Sequence, residues 1–298
     1  MNWLYVAQQT SIGPIQAVTL TEPTGPHLLF LHGVTRNHRD WSLILSALAP
    51  RFTPWAIDFR GHGQSARSRE QYRVLHYIDD AVHIARQLID RPLVLVGHSL
   101  GAMVALATAH RLRDQVQGVI IEDPPFETMG SRITSTMFHS QFVQFREILL
   151  AERWGSVSEL ARQLADVRLQ DPTTGQSIRL GDARDEASIR FHASSLAKMD
   201  PEALTPIVEG DWLRGFKWIE SAQNLDVPVL LLQADPNRGG MLTDADAASL
   251  RQQIRDLTVV RFPGVGHQIH TLAREDYLSA IGGFLESLGL DEGPMSNE

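Results

Sequence analysis

The stretch Leu93–Leu106 joins a buried strand to a buried helix through one short turn. Leu93-Val94-Leu95-Val96 is an unbroken apolar run, as expected of a strand covered on both faces. An Ala-rich run of strong helix formers follows directly, from Ala102 to Leu106. Between them lies Gly97-His98-Ser99-Leu100-Gly101, a G-x-S-x-G pentapeptide. A strand-to-helix turn this tight forces the central serine into a strained backbone conformation. It also demands glycine at 97 and 101, where a Cβ would strike the neighbouring strand or helix. The turn lifts the Ser99 hydroxyl clear of the sheet. The first N–H groups of the helix then point at whatever Ser99 attacks. Chance alone puts such a pentapeptide in about one 300-residue chain in ten, so the flanking strand and helix carry much of its weight.

The same alternation of strand and helix runs along most of the chain. Residues 3–8 and 15–20 form an opening strand pair around Gly13-Pro14. His27–Leu31 is a buried strand ending in His32-Gly33-Val34-Thr35. Trp41–Ala49 reads as a helix and Thr53–Phe59 as a strand, with Pro54 arguing for an edge position or a late start. Tyr77–Ile89 is helical, and Val116–Ile121 is a strand stopped by Pro124-Pro125. From Phe126 to about residue 215 strand-like runs vanish. Amphipathic patterns such as Phe142–Ala151 and Val157–Leu169 take over, separated by polar loops such as Gln170–Gly181. Phe216–Asn224 returns to the core. Val227–Gln233 and Leu257–Phe262 are strands, and Asp244–Ile254 and Tyr277–Leu288 are helices.

The expected fold is α/β: a mostly parallel eight-stranded sheet flanked by helices, with a helical cap inserted after the sixth strand. The expected division is a core of residues 1–125 and 216–298 and a cap of residues 126–215. Sites in such sheets form at the carboxyl ends of strands. His32, Ser99, Asp123, Asp235 and His267 all fall just past strand ends, which gathers scattered residues into one candidate site.

Bulk properties narrow the partners. A formal charge of −8 disfavours nucleic acid and anionic membranes. There is no cysteine, hence no disulfide or thiolate metal site, which fits a reducing compartment. No run approaches 18 apolar residues, and the N-terminus lacks the basic and apolar regions of a signal peptide. The expectation is a cytoplasmic protein that uses no metal or cofactor, touches neither nucleic acid nor membrane, and has an oligomeric state the sequence leaves open. The tail Asp291–Glu298 reads as polar and frayed.

Gly33 bends the chain after its strand so that the Val34 N–H points back toward Ser99. With the Leu100 N–H it would form an oxyanion hole, each donor worth about 3–4 kcal/mol of transition-state stabilisation. The cluster Asp58–Ser65 reads as a structural loop whose glycines and Asp/Arg pair satisfy buried backbone.

Taken together, His32-Gly33, the Asp58–Ser65 loop, Gly97–Gly101 and Gly264-Val265-Gly266-His267 make the chain resemble the α/β-hydrolase superfamily over essentially its whole length. These motifs are specific for the fold and weak for the substrate. The resemblance implies Ser99 as nucleophile and His267, on its loop after the last strand, as the base. For the acid it leaves two positions. Most members carry it after the strand here spanning Val227–Gln233, where strict alignment reaches Asn237 and Asp235 lies two residues early. Some place it after the preceding core strand, at Asp123, which is favoured here with Asp235 as the alternative. Glu122 should face away from Asp123 and be structural, and His270 is expected at the surface or a helix start. His32 and His98 would line the pocket, as would Phe126, Phe138 and Trp154 from the cap, with Met129 and Phe142 as further apolar candidates.

The implied activity is hydrolysis of a carboxylic ester, or of a lactone, through an acyl-enzyme, with a small-molecule ester as partner. A C–C or amide hydrolase or a perhydrolase would use the same triad. A non-catalytic ligand-binding member of the fold is the alternative of another class. Dehalogenase and epoxide-hydrolase chemistry is disfavoured, since those relatives carry aspartate in place of Ser99.

Overall fold

The computed structural model describes residues 2–170, 174–223 and 225–290. In chain order the strands are β1 (Trp3–Thr10), β2 (Gly13–Leu20), β3 (His27–Leu31), β4 (Thr53–Ile57), β5 (Leu93–His98), β6 (Val116–Glu122), β7 (Arg168–Gln170), β8 (Ser177–Arg179), β9 (Val229–Ala234) and β10 (Leu257–Phe262). The α-helices before β7 are α1 (Ser42–Leu48), α2 (Val74–Ile84), α3 (Leu100–Arg111), α4 (Phe126–Met129), α5 (Met137–Ala151) and α6 (Val157–Ala165). After β8 come α7 (Leu180–Ala183), α8 (Glu186–Leu196), α9 (Thr205–Val208), α10 (Trp218–Ala222), α11 (Asp244–Gln253), α12 (Ile269–Leu272) and α13 (Arg274–Ser287).

Eight strands make one sheet in the order β1-β2-β4-β3-β5-β6-β9-β10. β1, β2 and β4 pair antiparallel in turn, and every pairing from β4 to β10 is parallel. The period-two alternation of side chains sorts the apolar strand residues into two cores. Leu29, Leu31, Leu93, Leu95, Val119, Ile121, Val229 and Leu231 face a core shared with α2, α3, α11 and the segment after β6. Leu28, Phe30, Val94, Val96, Ile120, Leu230 and Leu232 face the other, covered by α1 and α13. The unbroken apolar runs of the sequence are therefore strands buried on both sides.

Two expectations change. β4 is an interior strand between β2 and β3, not an edge. Pro54 is tolerated because the ladder to β2 involves only Ala56 and Ile57, so the proline precedes it. The insert after β6 is also not purely helical. The expected helix Val157–Leu169 ends at Ala165, and β7 and β8 form a small antiparallel hairpin across the segment expected to be a polar loop. Asn224 and the Asp291–Glu298 tail lie outside the described residues. Among the described residues no helix is long and apolar enough to cross a membrane.

Candidate active site

The turn between β5 and α3 has the strain its sequence demands. Ser99 sits at φ 55°, ψ −113°, a conformation costing about 1–3 kcal/mol that surrounding packing must hold. A Cβ on Gly97 would lie 2.1 Å from the Gly101 carbonyl oxygen, and one on Gly101 would lie 1.9 Å from that of Leu31. The glycines thus let helix, elbow and β3 approach to backbone contact. The Ser99 N–H donates to the Glu122 carbonyl at 2.9 Å, which ties the elbow to the end of β6.

β6 is the hydrogen-bonded neighbour of β5, with His98 opposite Glu122. The next residue on each strand is Ser99 and Asp123. Asp123 is fully buried and has a φ of 43°. Its Oδ2 accepts from Met241 N at 2.7 Å and its Oδ1 from Leu242 N at 3.2 Å. The same Oδ2 lies 2.6 Å from His267 Nδ1. A carboxylate can only accept there, so Nδ1 carries the proton and Nε2 keeps its lone pair. Neither Ser99 Oγ nor His267 Nε2 has a hydrogen-bond partner among the described residues. The His267 ring lies against His98, with centroids 4.6 Å apart, beside the serine.

The alternative acid is placed differently. Asp235 accepts from Asn237 N at 2.9 Å and from Gly264 N at 2.8 Å. These bonds, the one from Gly264 first, pull its pKa down and make it the tie between the β9 and β10 loops. It makes no hydrogen bond to His267.

The loop after β3 packs tightly on the elbow. A Cβ on Gly33 would lie 2.8 Å from His98 Nδ1 and 3.3 Å from Ser99 Cβ. Neither the Val34 nor the Leu100 N–H donates a hydrogen bond to any described group, so both remain available to a ligand.

Several residues expected to line a pocket are elsewhere. His32 is fully buried, its Nδ1–H donating to the Gly33 carbonyl at 2.7 Å and its Nε2 accepting from Phe59 N at 3.0 Å. Burial lowers its pKa and keeps it neutral, so it braces the loop from behind. His98 is also buried, and its Nε2–H donates to the His267 carbonyl at 2.9 Å. It positions the histidine loop rather than facing a ligand. Phe126 is fully buried and stacks on Trp218 at 4.4 Å, inside the core. Trp154 lines a surface cleft of about 300 Å³ with Arg67, Leu149 and Met199, which contains none of Ser99, Asp123 and His267. Phe138 is half-buried against the larger core, as is Trp154. Local periodicity marks these aromatics as apolar but does not say which interior they enter.

In the loop after β4, Asp58 satisfies backbone as the sequence suggested, and it does so without pairing with Arg60. It accepts from His38 N and Nδ1, both at 2.8 Å, and from Gln64 N at 2.9 Å. Arg60 forms a bidentate pair with Asp80, both contacts at 2.7 Å.

Sequence reasoning missed a second carboxylate–imidazole pair beneath the first. His270 is buried rather than exposed, at the start of α12. Its Nδ1 lies 2.9 and 2.8 Å from the two Glu122 carboxylate oxygens, and its backbone N donates to Glu122 at 3.0 Å. Its Nε2 is 3.4 Å from Asp40 Oδ2, an ionic contact without hydrogen-bond geometry. Burial opposes the charged ring, but Glu122 and Asp40 outweigh it and raise the pKa to about 10. Glu122 therefore does face away from Asp123. Neighbouring carboxylates at 122 and 123 hold histidines at 270 and 267, a pairing across 148 and 144 residues that no local pattern announces.

The chain belongs to the α/β hydrolase family, which matches residues 28–280, and by that membership it is a hydrolase. It is 26% identical over 293 residues to 2-(acetamidomethylene)succinate hydrolase of Mesorhizobium japonicum, covering 95% of this chain and 96% of that protein. The crystal structure of E-2-(acetamidomethylene)succinate hydrolase superposes with a TM-score of 0.70 at 23% identity, covering 95% of this chain and 100% of the other. An esterase from Exiguobacterium antarcticum superposes with a TM-score of 0.73 at 15% identity, covering 95% and 100%.

Proposed function

We propose that this protein is a serine hydrolase that cleaves a carboxylic ester through an acyl-enzyme. The observation that carries the reading is the 2.6 Å contact of His267 Nδ1 with buried Asp123, beside a serine in a strained turn. Asp123 fixes the tautomer that leaves Nε2 free to take a proton. Ser99 Oγ attacks the ester carbonyl carbon while its proton passes to His267 Nε2. The oxyanion rests on the N–H groups of Val34 and Leu100, with the N-terminal end of α3 adding favourable potential. The carbon–oxygen bond to the alcohol breaks as Nε2 returns the proton to it. Water, deprotonated by His267, then attacks the acyl-enzyme and releases the acid and free Ser99. The segment 126–215 serves as a cap over the strand ends in this reading.

A second reading is hydrolysis of an amide bond by the same groups. It is favoured by the end-to-end similarity to the Mesorhizobium enzyme, whose name gives an acetamidomethylene succinate as its substrate.

Release of p-nitrophenol from p-nitrophenyl acetate and butyrate, wild type against Ser99→Ala, tests the ester reading. The expected result is a loss of about 10⁴-fold or more in kcat. Labelling of Ser99 by a fluorophosphonate supports the acyl-enzyme. A wild type no faster than Ser99→Ala on any ester, and unlabelled, refutes it.

A further inference from the structure

We propose that His192, on the insert, is a positioning residue that braces Thr35 in a strained reverse turn, so that packing of the insert sets the geometry of the Val34 N–H. This role presupposes the serine-hydrolase reading, in which that N–H receives the oxyanion, and adds to it control of the donor from the insert.

Gly33–Arg36 is a reverse turn closed by the Arg36 N–H, which donates to the Gly33 carbonyl at 3.2 Å. Val34 keeps a negative φ, whereas Thr35, the third residue of the turn, has a φ of 69°. These are the signs of a type II turn, whose third position favours glycine or asparagine. A β-branched residue there is strained and stays only where its surroundings hold it. The two ends of the turn are held from the core. His32 Nδ1–H donates to the Gly33 carbonyl at 2.7 Å, and Arg36 Nη2 donates to Gln268 Oε1 at 2.7 Å. Thr35 is held from the insert. It is buried, and its Oγ1 lies 3.0 Å from Nε2 of His192 on α8, its one side-chain hydrogen bond among the described residues.

His192 is itself firmly placed. Its ring is buried and edge-to-face with Phe145 of α5 at 5.2 Å, and its helix buries Ile189, Ala193 and Leu196. Burial lowers its pKa and keeps it neutral. Its Nδ1 is buried without a partner, so the single ring proton belongs on Nε2, which donates to Thr35 Oγ1. Without that bond Thr35 can relax to a negative φ by turning over the Val34–Thr35 peptide, as in a type I turn. The rotation runs through ψ of Val34, the residue that carries the donor. A donor that wanders loses the preorganisation on which oxyanion stabilisation depends. One bond between residues 157 apart in the chain thus makes the turn answer to the insert.

The test is a double-mutant cycle read by kcat and KM on p-nitrophenyl butyrate and by urea unfolding. Thr35→Val keeps the β-branched strain and loses the hydroxyl. It should lower kcat about 10–100-fold, with KM within about threefold of wild type. Thr35→Gly also loses the hydroxyl but accepts a positive φ without strain, so its kcat should exceed that of Thr35→Val by about fivefold or more. His192→Phe should match Thr35→Val. His192→Gln, whose side-chain amide can donate from near the same position, should recover most of the loss. In the Thr35→Gly background His192→Phe should cost less than about threefold in kcat. The unfolding constant should show the same coupling, His192→Phe raising it about tenfold in the wild type and about threefold or less in Thr35→Gly. Equal His192→Phe losses in both backgrounds, a Thr35→Gly as impaired as Thr35→Val, or a loss confined to KM refutes the brace and leaves His192 a packing residue. Should His192→Phe not fold, the order of the two Thr35 variants decides alone. If no ester is cleaved while unfolding couples the pair, the brace stands and the ester reading falls. Ser99-dependent cleavage without coupling removes the brace and leaves the ester reading intact.

Discussion

Asp123→Asn separates the two carboxylates that compete for His267, and its effect can be worked from the contacts. The 2.6 Å bond places the charges of an Asp123–imidazolium pair about 4 Å apart, where opposite charges attract by about 4 kcal/mol at an effective dielectric constant of 20. Losing that attraction as the imidazolium forms costs about 10³-fold in kcat, at 1.36 kcal/mol per decade. Which way the amide turns adds to this. Oδ2 accepts from both Met241 N and His267, while Oδ1 accepts only the longer 3.2 Å bond from Leu242 N. An NH₂ in the Oδ1 position loses just that bond and keeps the histidine tautomer. An NH₂ in the Oδ2 position opposes two donors and forces the proton onto Nε2, taking the loss toward about 10⁴-fold. One backbone N–H goes unpaired either way, at about 1–3 kcal/mol of stability, so urea melts accompany the kinetics. The assay is kcat/KM on p-nitrophenyl butyrate beside Asp235→Asn, which should stay within about tenfold of wild type because Asp235 ties loops together and does not touch His267. An Asp235→Asn loss of 10³-fold beside a mild Asp123→Asn would overturn the assignment.

Two further outcomes are expected. Gly101→Ala puts a methyl 1.9 Å from the Leu31 carbonyl, a backbone atom that cannot swing aside. It should cost about 3 kcal/mol or more in urea unfolding and lower activity by shifting the adjoining loop after β3. His270→Gln should destabilise most near pH 6–7, by about 3–5 kcal/mol, because it breaks a buried charged group from its partners. A histidine whose folded pKa is raised from 6.5 to about 10 contributes fully below 6.5 and loses that contribution as pH climbs toward 10. Wild type and variant should therefore converge in stability between pH 7 and 10, and a gap independent of pH over that range would refute the charged state of His270.

Much of the architecture was legible along the chain because burial on both faces of a parallel sheet leaves unbroken apolar runs. His27–Leu31 and Leu257–Phe262 have the bounds their sequences suggest. Boundaries slipped where local signals conflict. Pro54 argued for an edge or a late start; β4 is interior, and the proline precedes the β2 ladder, which involves only Ala56 and Ile57. The β7–β8 hairpin lies in a polar stretch with no alternation to announce it. Side-chain destinations were the least legible. Phe126 and His32 both follow strand ends, and nothing local says that one stacks on Trp218 and the other turns behind the loop.

The sequence alone determined the sharp turn at Ser99, since only glycines at 97 and 101 permit its backbone contacts. It also set the alternation that brings the loops to one rim. Tertiary structure decided which carboxylate meets the imidazole. That choice follows from strand order, with β6 beside β5 and β9 one place further out, and pairing between distant strands leaves no trace in local residue patterns. It likewise decided that His270 should lie buried against Glu122, 148 residues away along the chain. A charge's cost depends on what surrounds it, and those surroundings exist only once distant segments have packed together.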